Sequence, residues 1–112
     1  LPFGFLLATS EQAELAISML ARAVALHPGN PDVHRCLGVA CQSIGWIEAA
    51  EVQFKRSFEL DERNADTAYN LAVLYTAQSP ADMADANRWY DVAVALGAEP
   101  DPALEQLLNQ TD

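Results

Sequence analysis

The sequence predicts an all-α fold, in which antiparallel helical hairpins stack side by side as a solenoid. The sequence resembles itself after a shift of 34 residues, and apolar residues recur at helical spacing within each repeat. Glycine and proline fall where one helix would end and the next begin. With 112 residues, of which 51% are hydrophobic, the chain has the size and composition of one domain with a core.

The repeat brings similar residues into register along most of the chain. The aligned positions are Phe3, Leu37 and Leu71; Gly4, Gly38 and Ala72; Leu7, Cys41 and Tyr75; Ala16 and Ala50; Leu20 and Phe54; Leu26 and Leu60. A further step, from Phe54 to Tyr90, needs 36 residues, which predicts a two-residue insertion within Ser79-Pro80-Ala81-Asp82. We therefore expect a single domain over 1–112, which comprises a truncated repeat (1–30), a repeat (31–64), a repeat with the insertion (65–100) and a C-terminal capping helix (101–110).

The repeat over 31–64 is predicted to form two helices. Asn30 precedes Pro31, a pair typical of a helix start because asparagine caps free amides and proline suits the first turn. Gly45 lies between the two apolar stripes and marks a short loop. The stripes are Val33, Leu37, Ala40, Cys41 and Ile44 in the first helix, and Ala50, Phe54, Phe58 and Leu60 in the second.

The two ends of the chain are predicted to differ. The apolar segment 1–8 reads as the remnant of a first helix, so the first hairpin would be incomplete and the total would be about seven helices. Near the other end, Asp101 and Pro102 mark a helix start. Leu104, Leu107 and Leu108 give that helix one apolar stripe, as expected for a cap that keeps a solenoid soluble.

This pattern resembles the tetratricopeptide repeat (TPR) family, in which Leu-Gly in the first helix is followed by small, aromatic and small residues in the second. The residues that carry the resemblance are Leu37-Gly38, Cys41, Ala50, Phe54, Ser57 and Leu60-Asp61, then Leu71-Ala72, Tyr75, Ala86, Tyr90, Ala93 and Leu96. Cys41, Ser57 and Glu62 depart from the family pattern without changing the hairpin. The resemblance implies a right-handed superhelical array whose first helices line a concave surface that binds a protein or peptide partner.

The charge of the chain limits its partners. Sixteen acidic residues against six basic ones give a net charge of −10, which repels nucleic-acid phosphates and anionic membranes. No apolar stretch reaches the ~20 residues of a membrane-spanning helix. We therefore expect no nucleic-acid partner and no membrane insertion. The acidity favours solubility, or alternatively a preference for basic partners.

Catalytic and metal-binding motifs are not found in the sequence. It contains no glycine-rich phosphate loop, no H-E-x-x-H and no paired C-x-x-C. His34 and Cys41, if both on one helix, lie two turns apart, about 10 Å, too far to share one ion. We therefore expect no enzyme activity, no metal and no cofactor in this chain; a non-catalytic part of a larger enzyme is a remote alternative.

The two cysteines are expected to be reduced. An offset of five residues turns Cys36 and Cys41 roughly 140° apart around one helix, too far for a disulfide. Both are predicted to be buried small hydrophobic residues. The cysteines do not determine the cellular compartment, although the cytoplasm is slightly favoured.

Two candidate binding surfaces follow from the repeat and the family resemblance. Residues of the first helices that packing does not need are expected to face a partner protein or peptide: Arg35, Val39, Gln42, Tyr69, Asn70 and Val73. Asn70 matches one position of the carboxylate clamp by which some TPR domains hold acidic chaperone tails. The clamp lysines are missing, and the negative charges of Asp32 and Asp66 would repel an acidic tail. Binding of chaperone tails is therefore disfavoured. The alternative function is homo-oligomerisation through the apolar N-terminal segment, with Phe3, Phe5 and Leu6 as the contact residues.

Overall fold

The computed structural model describes residues 2–78 and 82–109, with the backbone alone for residues 2–11. These residues form six α-helices: α1 (Pro2–Leu26), α2 (Pro31–Ser43), α3 (Ile47–Leu60), α4 (Ala65–Ala77), α5 (Met83–Ala95) and α6 (Pro102–Asn109). The described ranges contain no β-strand. The predicted all-α hairpin fold is confirmed. The chain divides into two compact units, residues 1–60 and residues 61–112.

In the first unit, α2 and α3 form an antiparallel hairpin held by a close contact between a glycine and an aromatic ring. A Cβ atom added to Gly38 would lie 2.7 Å from two ring carbons of Phe54, so only glycine allows this approach. Phe54 and Ala50 are fully buried. At the open end of the hairpin, the Ser57 hydroxyl donates a 2.8 Å hydrogen bond to the carbonyl oxygen of Pro31. The two helices of this hairpin therefore approach each other where a glycine of α2 faces an aromatic ring of α3.

The boundaries of this hairpin follow from local chemistry. The side chain of Asn30 accepts a 2.9 Å hydrogen bond from the amide of Asp32, and Pro31 occupies the first turn of α2. The link between the helices spans residues 44–46 and contains Gly45 at a φ of 86°, a conformation that favours glycine. Both predicted signals are confirmed.

In the second unit, α4 and α5 form the corresponding hairpin, and α6 follows them. Asn64 caps α4 through the amide of Thr67, and Asp82 caps α5 through the amide of Asp85, at 3.2 and 3.1 Å. The link between α4 and α5 spans residues 78–82, against 44–46 in the first hairpin. Residues 79–81 of the predicted insertion lie outside the described residues.

The core of the second unit contains the predicted repeat positions. Ala72, Ala86 and Ala93 have no exposed surface, and Tyr75 and Tyr90 are buried. In α6, Leu104 and Leu108 are buried whereas Leu107 is 42% exposed, so the capping helix buries two of its three predicted leucines.

The N-terminal region differs from the prediction. α1 is one continuous helix of 25 residues rather than a remnant and a second helix, so the described residues contain six helices where about seven were expected. The physical reason lies at Glu11, which occupies the repeat position of Gly45. Glutamate favours the helix and resists positive φ, and no glycine or proline follows before Pro28, so nothing local ends the helix. The side chains of Phe3, Phe5 and Leu6 lie outside the described residues.

Candidate functional site

The face of α2 that does not pack on α3 carries the first part of the predicted binding strip. Arg35, Val39 and Gln42 follow one another at spacings of four and three residues, so they share a face of the helix. Val39 is 46% exposed, and the other two side chains are half-buried. The structure therefore brings these three residues together.

Arg35 is only loosely held on this face. Its guanidinium lies 3.5 Å from the carboxylate of Asp32, a side chain that is 70% exposed. Such surface pairs contribute little to stability. The Nε atom of Arg35 is buried and has no hydrogen-bond partner among the described residues.

The second part of the predicted strip lies on α4. Tyr69, Asn70 and Val73 share one face of this helix, and all three are half-buried. The 34-residue shift relates Tyr69 to Arg35 and Val73 to Val39.

The hydroxyl of Tyr69 is already engaged within the second unit. It donates a 2.5 Å hydrogen bond to Oδ2 of Asp101, while Oδ1 of the same carboxylate accepts from the amides of Ala103 and Leu104 at 3.1 and 3.2 Å. Asp101 therefore caps α6, as predicted, and also ties that cap to α4. Residue types and spacing gave no signal of the tyrosine contact, because 32 residues separate its partners.

Tyr90 completes this network from α5. Its hydroxyl accepts a 2.9 Å hydrogen bond from the amide of Asp101 and donates a 2.7 Å bond to Oε1 of Glu105. The start of α6 is thus fixed by two tyrosines on two helices. The repeat aligns Tyr90 with the buried Phe54, and the structure shows that the hydroxyl of Tyr90 also forms hydrogen bonds.

The network shifts the acidity of its members. The hydrogen bond from Tyr69, aided by the amide of Leu104, holds the pKa of Asp101 below its usual value. The same hydrogen bond raises the pKa of Tyr69, and partial burial adds to the increase. Burial, then the bond to Glu105, raises the pKa of Tyr90. At neutral pH the network therefore consists of a charged Asp101 and two neutral tyrosines.

His34 is a structural residue of the first unit. It is buried, its Nε2 donates to the carbonyl oxygen of Pro28 at 2.8 Å, and its Nδ1 lies 2.8 Å from Oε1 of Gln53. Both ring nitrogens are therefore occupied by protein groups. Across residues 2–78 and 82–109, no three histidine, cysteine, aspartate or glutamate side chains are grouped to hold a metal ion.

The two cysteines differ in environment. Cys41 is buried, and that burial raises the pKa of its thiol. Cys36 is exposed, so the prediction that both are buried is wrong for this residue. Cys36 lies one position beyond Arg35, and the helical turn places it away from the Gly38–Phe54 contact.

None of the helices in the described parts of the chain combines the length and the apolar character needed to cross a membrane.

Comparisons with known proteins identify the fold. No protein-family model and no curated protein match the sequence. Among solved structures, the chain is similar to the crystal structure of YrrB, described as a TPR protein with an unusual peptide-binding site. The sequence identity is 28%, the TM-score is 0.73, and the match covers 96% of this chain and 53% of YrrB. The chain therefore spans about half the length of that protein.

Three observations agree: the 34-residue repeat, the close packing of Gly38 on Phe54, and the likeness to a TPR structure over nearly the whole chain. Together they show that this chain has the helical-hairpin fold of tetratricopeptide repeat proteins.

Proposed function

We propose that this chain is a protein-interaction module that binds a peptide or a helix of a partner protein through its first helices, α2 and α4. The observation that carries the proposal is the free face of α2. There an apolar side chain, Val39, stays 46% exposed beside Arg35 although the opposite face of the helix is buried in the hairpin. Exposed apolar groups next to arginine donors are the usual composition of an interface centre.

The proposal assigns a role to five residues of the strip. Val39 supplies apolar contact area, and Arg35 supplies donors for a carbonyl or carboxylate group of the partner, since its contact with Asp32 is weak. On α4, Tyr69 offers its ring but not its hydroxyl, which is committed to Asp101. Asn70 adds a donor and an acceptor, and Val73 repeats the role of Val39. The role is one of binding rather than catalysis.

The similarity to YrrB supports this proposal. YrrB is described as having a peptide-binding site. This chain has the same fold as about half of YrrB. The proposed partner is accordingly a peptide segment or a helix of another protein.

The test is selection from a random peptide library displayed on phage, followed by calorimetric titration of the enriched peptides. We expect the wild-type chain to bind a selected peptide, and Val39→Glu to weaken that binding by about tenfold or more, because a charge replaces a desolvated apolar contact. Arg35→Glu should weaken it by a similar factor.

Val52→Glu is the matched control. Val52 lies on α3 and is 62% exposed, so the same substitution adds the same charge on a different helix. It should leave the affinity unchanged. Selection that yields no enriched peptide, or equal binding by Val39→Glu and Val52→Glu, would show that the α2 face is not the binding surface.

A further inference from the structure

α1 carries an exposed apolar stripe that the proposed function does not use. Leu15, Met19 and Leu26 are 61, 63 and 70% exposed, and they are among the most exposed large hydrophobic residues of the described chain. With Arg22, they follow spacings of four, three and four residues, so they lie along one side of the helix. A contiguous apolar stripe of this kind marks an interaction surface.

The stripe has few charged neighbours, so a second copy of this acidic chain can approach it with little repulsion. Residues 15–26 contain a single charged residue, Arg22, and no carboxylate, although the chain has 16 acidic residues and a net charge of −10. Two copies of such an acidic chain repel each other over most of their surfaces. Along this part of α1 that repulsion is weakest.

The neighbours of the stripe are also small. Ser18, Ala21 and Ala25 are exposed, so a second helix can approach α1 closely. By contrast, the exposed Val52 on α3 is surrounded along its helix by charged residues, which are Glu48, Lys55, Arg56 and Glu59. The apolar surface of α1 is therefore suited to a helix, and that of α3 is not.

We propose that α1 docks on α1 of a second copy of this chain, with the two helices antiparallel. The stripe is self-complementary in that arrangement: Leu15 packs on Met19 of the second copy, and Met19 packs on Leu15. The same register places Arg22 opposite Gln12, which is exposed and can accept a hydrogen bond from the guanidinium. A two-fold axis repeats each contact, as in an isologous dimer.

This surface lies outside the α2 and α4 faces of the proposed function, and it also differs from the expected contact through Phe3, Phe5 and Leu6. The proposal concerns the middle and C-terminal part of α1, and the contact through Phe3, Phe5 and Leu6 stays a separate prediction. Both activities can then coexist in one molecule.

The test measures the mass of the 112-residue chain by sedimentation equilibrium between about 1 and about 100 µM, the range of weak dimers. We expect a monomer–dimer equilibrium in the wild type. Leu15→Glu and Met19→Lys should each raise the dimer dissociation constant by about tenfold or more. Val52→Glu, at a side chain of equal exposure, should leave it unchanged.

Mixing the two variants tests the register. In the antiparallel pair, the carboxylate introduced by Leu15→Glu faces the ammonium introduced by Met19→Lys, while Met19 and Leu15 still meet at the other half of the interface. An equimolar mixture should therefore form heterodimers, detectable by native mass spectrometry, that are tighter than either homodimer.

Several outcomes would overturn the proposal. A wild type that stays monomeric throughout the range would mean that another protein or segment covers α1. A dimer that both variants leave intact would lie on another surface, and a mixture with no heterodimer would exclude the antiparallel register. Because both substitutions are at exposed positions, far-UV circular dichroism should match that of the wild type.

Discussion

Tyr69 and Asp101 are joined by a 2.5 Å hydrogen bond that connects the first helix of the second hairpin to the cap of α6. The same carboxylate accepts two amides of α6 through its other oxygen. One aspartate thus both starts the last helix and holds it on the hairpin. The hydroxyl of Tyr69 is therefore engaged by Asp101, and only its ring is available to a partner.

Removing the Tyr69 hydroxyl should loosen α6. We expect Tyr69→Phe to lower the melting temperature by a few degrees, because Asp101 loses its side-chain donor while its amide contacts remain. Thermal unfolding followed by circular dichroism measures the change. Tyr69→Phe keeps the ring, so peptide binding that depends on that ring should persist. An unchanged melting temperature would show that the hydrogen bond adds nothing to stability.

The stabilisation by this pair should vary with pH in a defined way. The pKa of Asp101 is lowered in the folded state, so its contribution is present above the ordinary carboxyl value of ~4 and is lost as pH falls through the lower folded value. The pKa of Tyr69 is raised, so its contribution is present below ~10 and is lost as pH rises through the higher folded value. The difference in melting temperature between wild type and Tyr69→Phe should therefore be constant from about pH 5 to 9 and shrink beyond both limits. A difference that persists in strong acid and alkali would assign the effect to packing.

Gly38 should tolerate no side chain. In Gly38→Ala the new Cβ would meet the Phe54 ring at 2.7 Å, and the ring is fully buried, so the hairpin must shift. We expect a loss of about 1–3 kcal/mol in the free energy of unfolding, measured by urea denaturation. Gly29→Ala is the control, since nothing lies within 4 Å of a Cβ added there. Equal stability of the two variants would contradict the role of the Gly38–Phe54 contact.

His34 should matter for stability rather than for metal binding. His34→Ala leaves the carbonyl oxygen of Pro28 and the side-chain amide of Gln53 without their partner in a partly buried place. The expected loss is about 1–3 kcal/mol, measured in the same urea titration. Addition of zinc should not change the unfolding curve of the wild type. A stabilisation by zinc that disappears in His34→Ala would instead reveal a metal site.

The thiols should react in two stages. Cys36 is exposed, whereas Cys41 is buried with a raised thiol pKa, so a disulfide reagent such as Ellman's reagent should modify one thiol rapidly in the native chain. The second should react only after unfolding in urea. Cys36→Ser should abolish the rapid phase, and two rapid thiols would show that Cys41 is accessible.

Much of the hairpin architecture could be predicted from the sequence because its signals are local. The caps at Asn30 and Asp101 and the glycine of the first link each act within a few residues, and the 34-residue period repeats such local signals along the chain. The small–aromatic contact at Gly38 and Phe54 is also implied by the repeat, because its two residue types recur at fixed positions. The binding strip on each first helix follows from helical spacing together with the resemblance to the tetratricopeptide repeat family, and its role remains a prediction.

Other features were decided by tertiary structure. The repeat predicted a turn within α1, but the helix is continuous. Glu11 occupies the repeat position of Gly45 and favours the helix over a turn. The exposure of Cys36 depends on which face α2 turns to α3, and the apolar stripe of α1 depends on which helices cover it. The bond between Tyr69 and Asp101 joins residues that no periodic pattern relates. Local propensity and periodicity thus determined the helices and hairpins of this protein, whereas long-range packing determined which side chains are left free and which polar groups meet.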